Sequence, residues 1–143
     1  MKTKLALLLL ALLWLQCRSH QDSGNENPTL ENTYWKLVEV AATAVSTPQN
    51  GTEIFMILTR ENDSMLLKGH AGCNGLGGDF KLEGNKIKFQ PITTRMFCEG
   101  QMETENLFTR MLTAADRYEL SGKTLELFAG TELLGKFEAL PVK

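Results

Sequence analysis

The sequence lacks several features that would indicate whole classes of function. It contains no run of Lys or Arg, and the formal net charge of the 143-residue chain is −2. Because nucleic acids are polyanions, such a chain is not expected to bind them. Its uninterrupted apolar run, residues 5–15, has 11 residues, whereas a helix needs about 20 to cross a bilayer. We therefore predict neither a nucleic-acid partner nor a membrane-spanning helix.

Cysteine and histidine are also scarce, with 3 Cys and 2 His in the chain. His70, Cys73 and Cys98 are conceivable zinc ligands, but they number only three and no Cys-x-x-Cys pair accompanies them. A cysteine nucleophile needs a base and an orienting group, and no such set is evident around His70. We expect no metal, no cofactor and no catalytic residue. An envelope enzyme that uses Cys73, Cys98 and His70 is the alternative.

The first residues have the pattern of an export signal. Lys2 and Lys4 precede the apolar run, as in a secretory signal peptide, which we assign to residues 1–16. Cys17 closely follows the run, as in a bacterial lipoprotein signal, so we predict that this thiol carries a diacylglyceryl group. Two acyl chains give stable membrane anchoring. The alternative is ordinary cleavage that leaves Cys17 unmodified or removes it.

The polar residues that follow set the expected domain boundaries. Residues 17–32 are almost devoid of apolar side chains and are predicted to form a flexible tether. Residues 33–143 are predicted to form the folded domain. Outside the cytoplasm Cys73 and Cys98 are candidates for a disulfide, which would stabilise the fold by about 3 kcal/mol. The alternative is two buried free thiols.

Apolar residues repeat mostly with the period of a β-strand. Alternation around the turn at Gly84 and Asn85 predicts a hairpin with one face buried, which is typical of antiparallel sheets. Residues 41–51 are predicted to be a loop. Residues 54–58 are all apolar and are predicted to form a strand buried on both faces or under the helix.

The period changes between residues 100 and 115, where four apolar residues mark one stripe of a helix: Phe108, Met111, Leu112 and Ala115. Glu103 and Glu105 fall in the first turns, where the helix dipole favours negative charge. They are two positions apart, so we expect both to be solvated rather than paired for acid–base chemistry. The predicted fold is α+β: a curved, partly closed antiparallel sheet of about seven or eight strands with one main helix packed on it.

Two segments carry a family resemblance. Gly72-Cys73-Asn74 and, further on, Thr94-Arg95-Met96-x-Cys98 resemble the signature of the META domain (HslJ-like) family. The resemblance covers roughly residues 33–140, nearly the whole mature chain. The resemblance implies an exported or envelope-associated β-rich domain, often part of a bacterial lipoprotein. It also implies links to heat shock, novobiocin tolerance and motility. It implies no enzymatic activity, so it transfers no catalytic residue.

The expected function is therefore that of a non-enzymatic cell-envelope lipoprotein, stress-related and binding or chaperone-like. Its expected partners are a membrane, either the outer membrane or one facing the periplasm, and an apolar ligand or envelope protein. We place the binding site near Asn74, Gly75, Leu76 and Met96, where glycines let backbones approach and Met offers adaptable apolar contacts. The competing account is that these loops are purely structural.

Overall fold

A computed structural model of the chain describes residues 27–49 and 51–141. The assigned signal peptide, Cys17 and most of the tether lie outside the described residues. The elements that the structure describes are, in order, β1 (Tyr34–Val40), β2 (Thr43–Ala44), β3 (Phe55–Glu61), β4 (Ser64–His70), β5 (Gly75–Glu83), β6 (Lys86–Thr93), α1 (Met102–Ala114), β7 (Arg117–Ser121), β8 (Thr124–Ala129) and β9 (Glu132–Leu140).

The strands form one antiparallel sheet that closes on itself. Neighbours in the sheet follow the chain from β3 to β9, and β1 pairs with both β3 and β9, so every strand except β2 belongs to the ring. Two seams are weak. The β6–β7 seam has the single residue pair Lys86↔Arg117, and the β1–β3 seam has two pairs. The predicted fold class is confirmed, with nine strands in place of seven or eight.

The helix packs on the ring through the predicted stripe. Phe108, Met111 and Leu112 are buried, and the ring centroids of Phe108 and Phe137 lie 6.2 Å apart. Gly135 of β9 permits this close packing, because a Cβ there would lie 2.6 Å from the Glu39 carbonyl oxygen and would also collide with the Met111 sulfur. No helix in the described part of the chain is long and apolar enough to cross a membrane.

Strand β3 differs from the prediction of two buried faces. Met56 and Leu58 are fully buried, whereas Phe55 and Ile57 are only half-buried. The reason is the position of the helix, which packs mainly against β6, β1 and β8 and leaves the outer face of β3 uncovered. On that face Tyr34 stacks on Phe55, with ring centroids 4.3 Å apart.

Strand β2 lies within the segment that was predicted to be a loop. Ala41 and Ala42 have φ values of 49° and 59°, and they form the turn that folds β2 back on β1. Two consecutive residues with positive φ are the geometry of a two-residue hairpin turn, which Asn and Gly usually occupy. Because alanine is not a turn signal, the hairpin was not predictable from these residues.

The packed domain includes residues that the sequence analysis assigned to the tether. Leu30 is buried, and its carbonyl oxygen accepts a hydrogen bond of 2.9 Å from Trp35 Nε1. The Asn32 amide donates to the Leu58 carbonyl oxygen at 2.7 Å. Leu30 therefore belongs to the packed domain, and Asn32, although exposed, is joined to β3 through its backbone.

Candidate functional site

The bend between β4 and β5 carries the first of the two signature segments. The Ala71 amide donates to the Asn74 carbonyl oxygen at 2.7 Å, which closes a tight turn. Gly72 has a φ of 108°, a conformation that a residue with a side chain rarely adopts. Its amide donates to His70 Nδ1 at 3.1 Å. The glycine therefore has a backbone role, and His70 takes part in the turn.

Cys73 and Cys98 form a disulfide, as predicted, with their Cα atoms 5.7 Å apart. The bond joins the bend to the segment that leads from β6 into α1. Neither sulfur is a thiolate in this form, so neither can act as a nucleophile or a zinc ligand. Within residues 27–49 and 51–141, no group of three His, Cys, Asp or Glu side chains is placed to hold a metal ion.

Asn74 ties the same two segments together through its side chain. Its Nδ2 donates to the Met96 carbonyl oxygen at 3.1 Å and to Glu105 Oε1 at 2.7 Å. Its Oδ1 accepts from Thr94 Oγ1 at 2.9 Å and from the Met96 amide at 2.7 Å. Two donors and two lone pairs are the full capacity of a side-chain amide. Asn74 is therefore a saturated cross-link with no capacity left for a ligand.

Glu105 completes this cluster from the helix. Its side chain enters the interior, with only 4% of the residue exposed. Oε2 accepts hydrogen bonds from the amides of Cys73 at 3.2 Å and Asn74 at 2.8 Å. The expectation that Glu105 is solvated is wrong, because the first turn of α1 lies against the bend. Glu103 is exposed, as expected.

We call Cys73, Asn74, Thr94, Cys98 and Glu105 the signature cluster. The four predicted binding residues belong to this cluster or lie within two positions of one of its members in the sequence. Asn74 and Leu76 are 1% and 6% exposed, so surrounding protein already covers both of them. Gly75 is half-buried, and its amide donates to Thr94 Oγ1 at 3.1 Å.

Met96 alone among the four is well exposed, at 58%. The sequence analysis did not select its neighbour Phe97, which is 82% exposed, or Ile92, which is 70% exposed. An aromatic residue next to a signature methionine was the available signal for Phe97. The structure thus brings the polar residues of the two signature segments together inside the domain and leaves large apolar side chains exposed at the end of β6 and just after it.

A cleft of about 200 Å³ opens beside the signature cluster, between the β1–β2 hairpin and the start of α1. Seven apolar side chains line it: Leu37, Val40, Ala44, Val45, Pro48, Ile54 and Leu107. Six side chains with hydroxyl or amide groups also line it: Thr43, Ser46, Thr47, Thr52, Gln101 and Thr104. None of the described lining residues is charged. We call this the end cleft.

The signature cluster holds two walls of the end cleft together. Gly72 lines one wall and directly precedes Cys73, while Gly100 and Gln101 line another and closely follow Cys98. The disulfide therefore limits how far these walls can separate. The Gln101 amide donates to the Cys98 carbonyl oxygen at 3.2 Å, which fixes the start of the helix relative to the disulfide.

A second polar group supports the wall that contains Ile54. Tyr34 Oη donates to Glu53 Oε1 at 2.9 Å, and Lys36 Nζ lies 2.6 Å from Glu53 Oε2. Burial, followed by the hydrogen bond to Glu53 and its negative charge, raises the pKa of Tyr34 well above its usual value. These contacts cross the short β1–β3 seam and position the chain just before β3.

Comparisons with known proteins agree with this architecture. An NMR structure of a protein from Burkholderia xenovorans has a TM-score of 0.63 and 23% identity, over 85% of this chain and 97% of its own. A second NMR structure has a TM-score of 0.59 and 21% identity, over 78% of this chain and 94% of its own. No curated protein sequence matches. These likenesses show the fold alone, whereas the model of the META domain matches residues 28–139. The chain therefore belongs to the META domain family, as the signature segments predicted.

Proposed function

We propose that this protein is a non-enzymatic binding module of the cell envelope, exported and attached to a membrane through Cys17. Its end cleft would hold an apolar or amphipathic partner without transforming it. The single observation that carries the proposal is the lining of the cleft, which combines seven apolar side chains with six neutral polar ones. Concave sites with mostly apolar walls and a few polar groups are typical of non-covalent ligand binding.

The exposed apolar side chains support the same role. Ile92, Met96 and Phe97 all come from the segment at the end of β6. Isolated exposed apolar residues are normal on protein surfaces, but several from one short segment favour contact with a partner. Met and Phe are also residue types that are enriched at interfaces. This segment is covalently joined to the bend beside the cleft by the disulfide.

A binding role also agrees better with the chemistry of the cleft than a catalytic one. Hydrolysis by a hydroxyl group needs a neighbouring base, and the described lining residues include no His, Asp or Glu. The heat-shock links implied by the family resemblance favour a chaperone-like module that holds exposed apolar segments. We extend the proposal to that role.

A cleft-filling variant tests the proposal. Thr104→Phe places a ring in the end cleft, and Asn106→Phe adds the same ring at an exposed position of α1 outside the cleft. Using the full-length protein and the neutral apolar dye Nile red, we expect saturable binding that Thr104→Phe weakens at least about tenfold. Asn106→Phe should bind like wild type.

Two results would contradict this proposal. Wild type that binds no dye would remove the evidence for an apolar site. Equal weakening by Thr104→Phe and Asn106→Phe would place any binding outside the cleft. If the cleft passes both tests, its natural partner can be sought among the lipids and proteins that co-purify with the intact protein. Mass spectrometry would identify them.

A further inference from the structure

We propose that the partner of the end cleft is an uncharged, extended polypeptide segment that adds to the free edge of β2 as an extra strand. This inference rests on the proposed function, because it assumes that the cleft holds a non-covalent partner. It goes further by naming the chemical class of that partner and the backbone groups that recognise it.

The free edge of β2 follows from its pairing with β1. The Val45 amide donates to the Val38 carbonyl oxygen at 2.8 Å, and Ala44 stands opposite Glu39. In an antiparallel ladder hydrogen-bonded and non-hydrogen-bonded pairs alternate, so Ala44 belongs to a non-hydrogen-bonded pair. Its N–H and C=O therefore point away from β1. Among the described residues, strand β2 is at the end of the sheet order, with β1 as its one neighbour, and Ala44 is exposed.

The end cleft lies along this edge because the sheet is interrupted there. The side of β1 that pairs with β2 also pairs with β3, but the pairs with β3 involve only Trp35 and Lys36. Between β2 and β3 the chain leaves the sheet. Beside β2 there is thus an open space, lined on its other sides by Ile54, Gly72 and the start of α1.

The lining of the cleft matches a polypeptide better than other apolar chains. A hydrocarbon chain would leave the hydroxyl and amide groups of the rim, and the edge of β2, without partners, and unpaired polar groups are costly once they are covered. A peptide backbone supplies both donors and acceptors at the spacing of a strand. Its alternate side chains would point to the apolar floor formed by Leu37, Val40 and Leu107.

Charge restricts the partner further. Asp, Glu, Lys and Arg make up 22% of the sequence, yet no described residue that lines the cleft is one of them. A charged side chain that entered would lose hydration without finding a counter-ion, which is strongly unfavourable. The cleft therefore complements a segment of small apolar and hydroxyl-bearing residues.

The test uses the full-length protein in detergent and a blocked peptide of alternating Thr and Val, with acetyl and amide ends. Ala44→Pro removes the outward N–H without touching the bonds to β1, since proline is tolerated at sheet edges. Ala44→Val keeps the N–H and is the matched control. We expect the peptide to bind wild type, to protect the Ala44 amide from hydrogen exchange, and to bind Ala44→Pro at least about fivefold more weakly than Ala44→Val, which adds similar bulk but keeps the N–H.

A second probe, 1-dodecanol, separates this inference from the proposed function. If dodecanol binds and the peptide does not, the cleft binds apolar molecules but strand addition is wrong. Peptide binding that Ala44→Pro leaves unchanged, or that survives N-methylation of the peptide backbone, also overturns strand addition. If neither probe binds, the proposed function fails together with this inference. Thermal unfolding of each variant should match wild type within a few degrees, which shows that the hairpin is intact.

Discussion

At the scale of single residues, Glu105 has the most consequential environment. It carries a buried carboxylate that accepts hydrogen bonds from two backbone amides and from Asn74 Nδ2. No salt bridge involves it in the part of the chain that the structure describes. The three donors therefore take the place of a cation, and they fix the helix against the bend.

We predict that Glu105→Gln lowers the free energy of unfolding by about 2–3 kcal/mol, because the new NH₂ group would face a donor and leave buried N–H groups without an acceptor. Denaturant titration measures the loss. Glu103→Gln is the matched control on the exposed side of the same helix, and it should change stability by less than about 0.5 kcal/mol. Similar effects of the two substitutions would show that the interior bonds of Glu105 are not important for stability.

Tyr34 gives a prediction about pH. Its folded-state pKa lies above the ordinary value of 10.0, so the neutral phenol is favoured in the folded protein. A raised pKa of an acid contributes stability below the unfolded pKa, and this contribution is lost as the pH rises toward the folded pKa. Wild type should exceed Tyr34→Phe in stability by about 1 kcal/mol at pH 7, and the difference should shrink above about pH 10. A difference that is constant from pH 7 to 11 would contradict this assignment.

At the scale of elements, the β1–β2 hairpin contains a strained turn that a glycine substitution should relieve. Ala41 and Ala42 both have positive φ, where an L-residue with a Cβ is strained. We expect Ala42→Gly to raise the free energy of unfolding by about 0.5–1 kcal/mol, since glycine adopts this conformation without strain. Ala44→Gly, in the strand itself, should lower it by a similar amount. Thermal unfolding compares the two, and a loss of stability in both would contradict the turn geometry.

The disulfide contributes to stability at the same scale. Cys73 and Cys98 are 25 residues apart, so the double variant Cys73→Ala/Cys98→Ala should lose about 3 kcal/mol on the chain-entropy model. We expect it to stay folded, because the hydrogen bonds of Asn74 and Glu105 still join the bend to α1. Wild type treated with a thiol reductant should show the same loss in denaturant titration. No difference between oxidised and reduced wild type would contradict the prediction.

At the scale of the whole molecule, the closed ring separates residues 30–32 from the end cleft. The Asn32 amide donates to the Leu58 carbonyl oxygen and Glu31 pairs with Arg60, both in the second half of β3, while Ile54 lines the cleft just before β3 begins. The four to six residues of strand between these points span roughly 13–20 Å. A domain attached through its N-terminal side would therefore hold the cleft away from the attachment point.

The membrane anchor itself stays a prediction, because Cys17 lies outside the described residues. We expect wild type to fractionate with membranes and to carry a diacylglyceryl group on Cys17, which mass spectrometry of the N-terminal peptide detects. Cys17→Ala should be released or remain as an unprocessed precursor. If both proteins are recovered as the same soluble, unacylated product, the lipoprotein assignment is wrong.

The sequence by itself determined the β-rich fold, the helix and its buried stripe, and the family. These properties depend on local periodicity and on short signature segments, which are present in the chain whatever its long-range contacts. The pairing of Cys73 with Cys98 was also predicted from the sequence, on the expectation that the chain is exported to an oxidising compartment. The α+β class followed from the change of period at the helix.

Only the tertiary structure decided what covers each of these elements. The closure of β1 on β9, the half-exposed face of β3 and the short strand β2 all depend on partners that are distant in sequence or on a turn without a turn signal. The same holds for the burial of Glu105 and Leu76. A charged or apolar residue has the same local pattern in either environment, and its burial depends on which segment the fold brings against it.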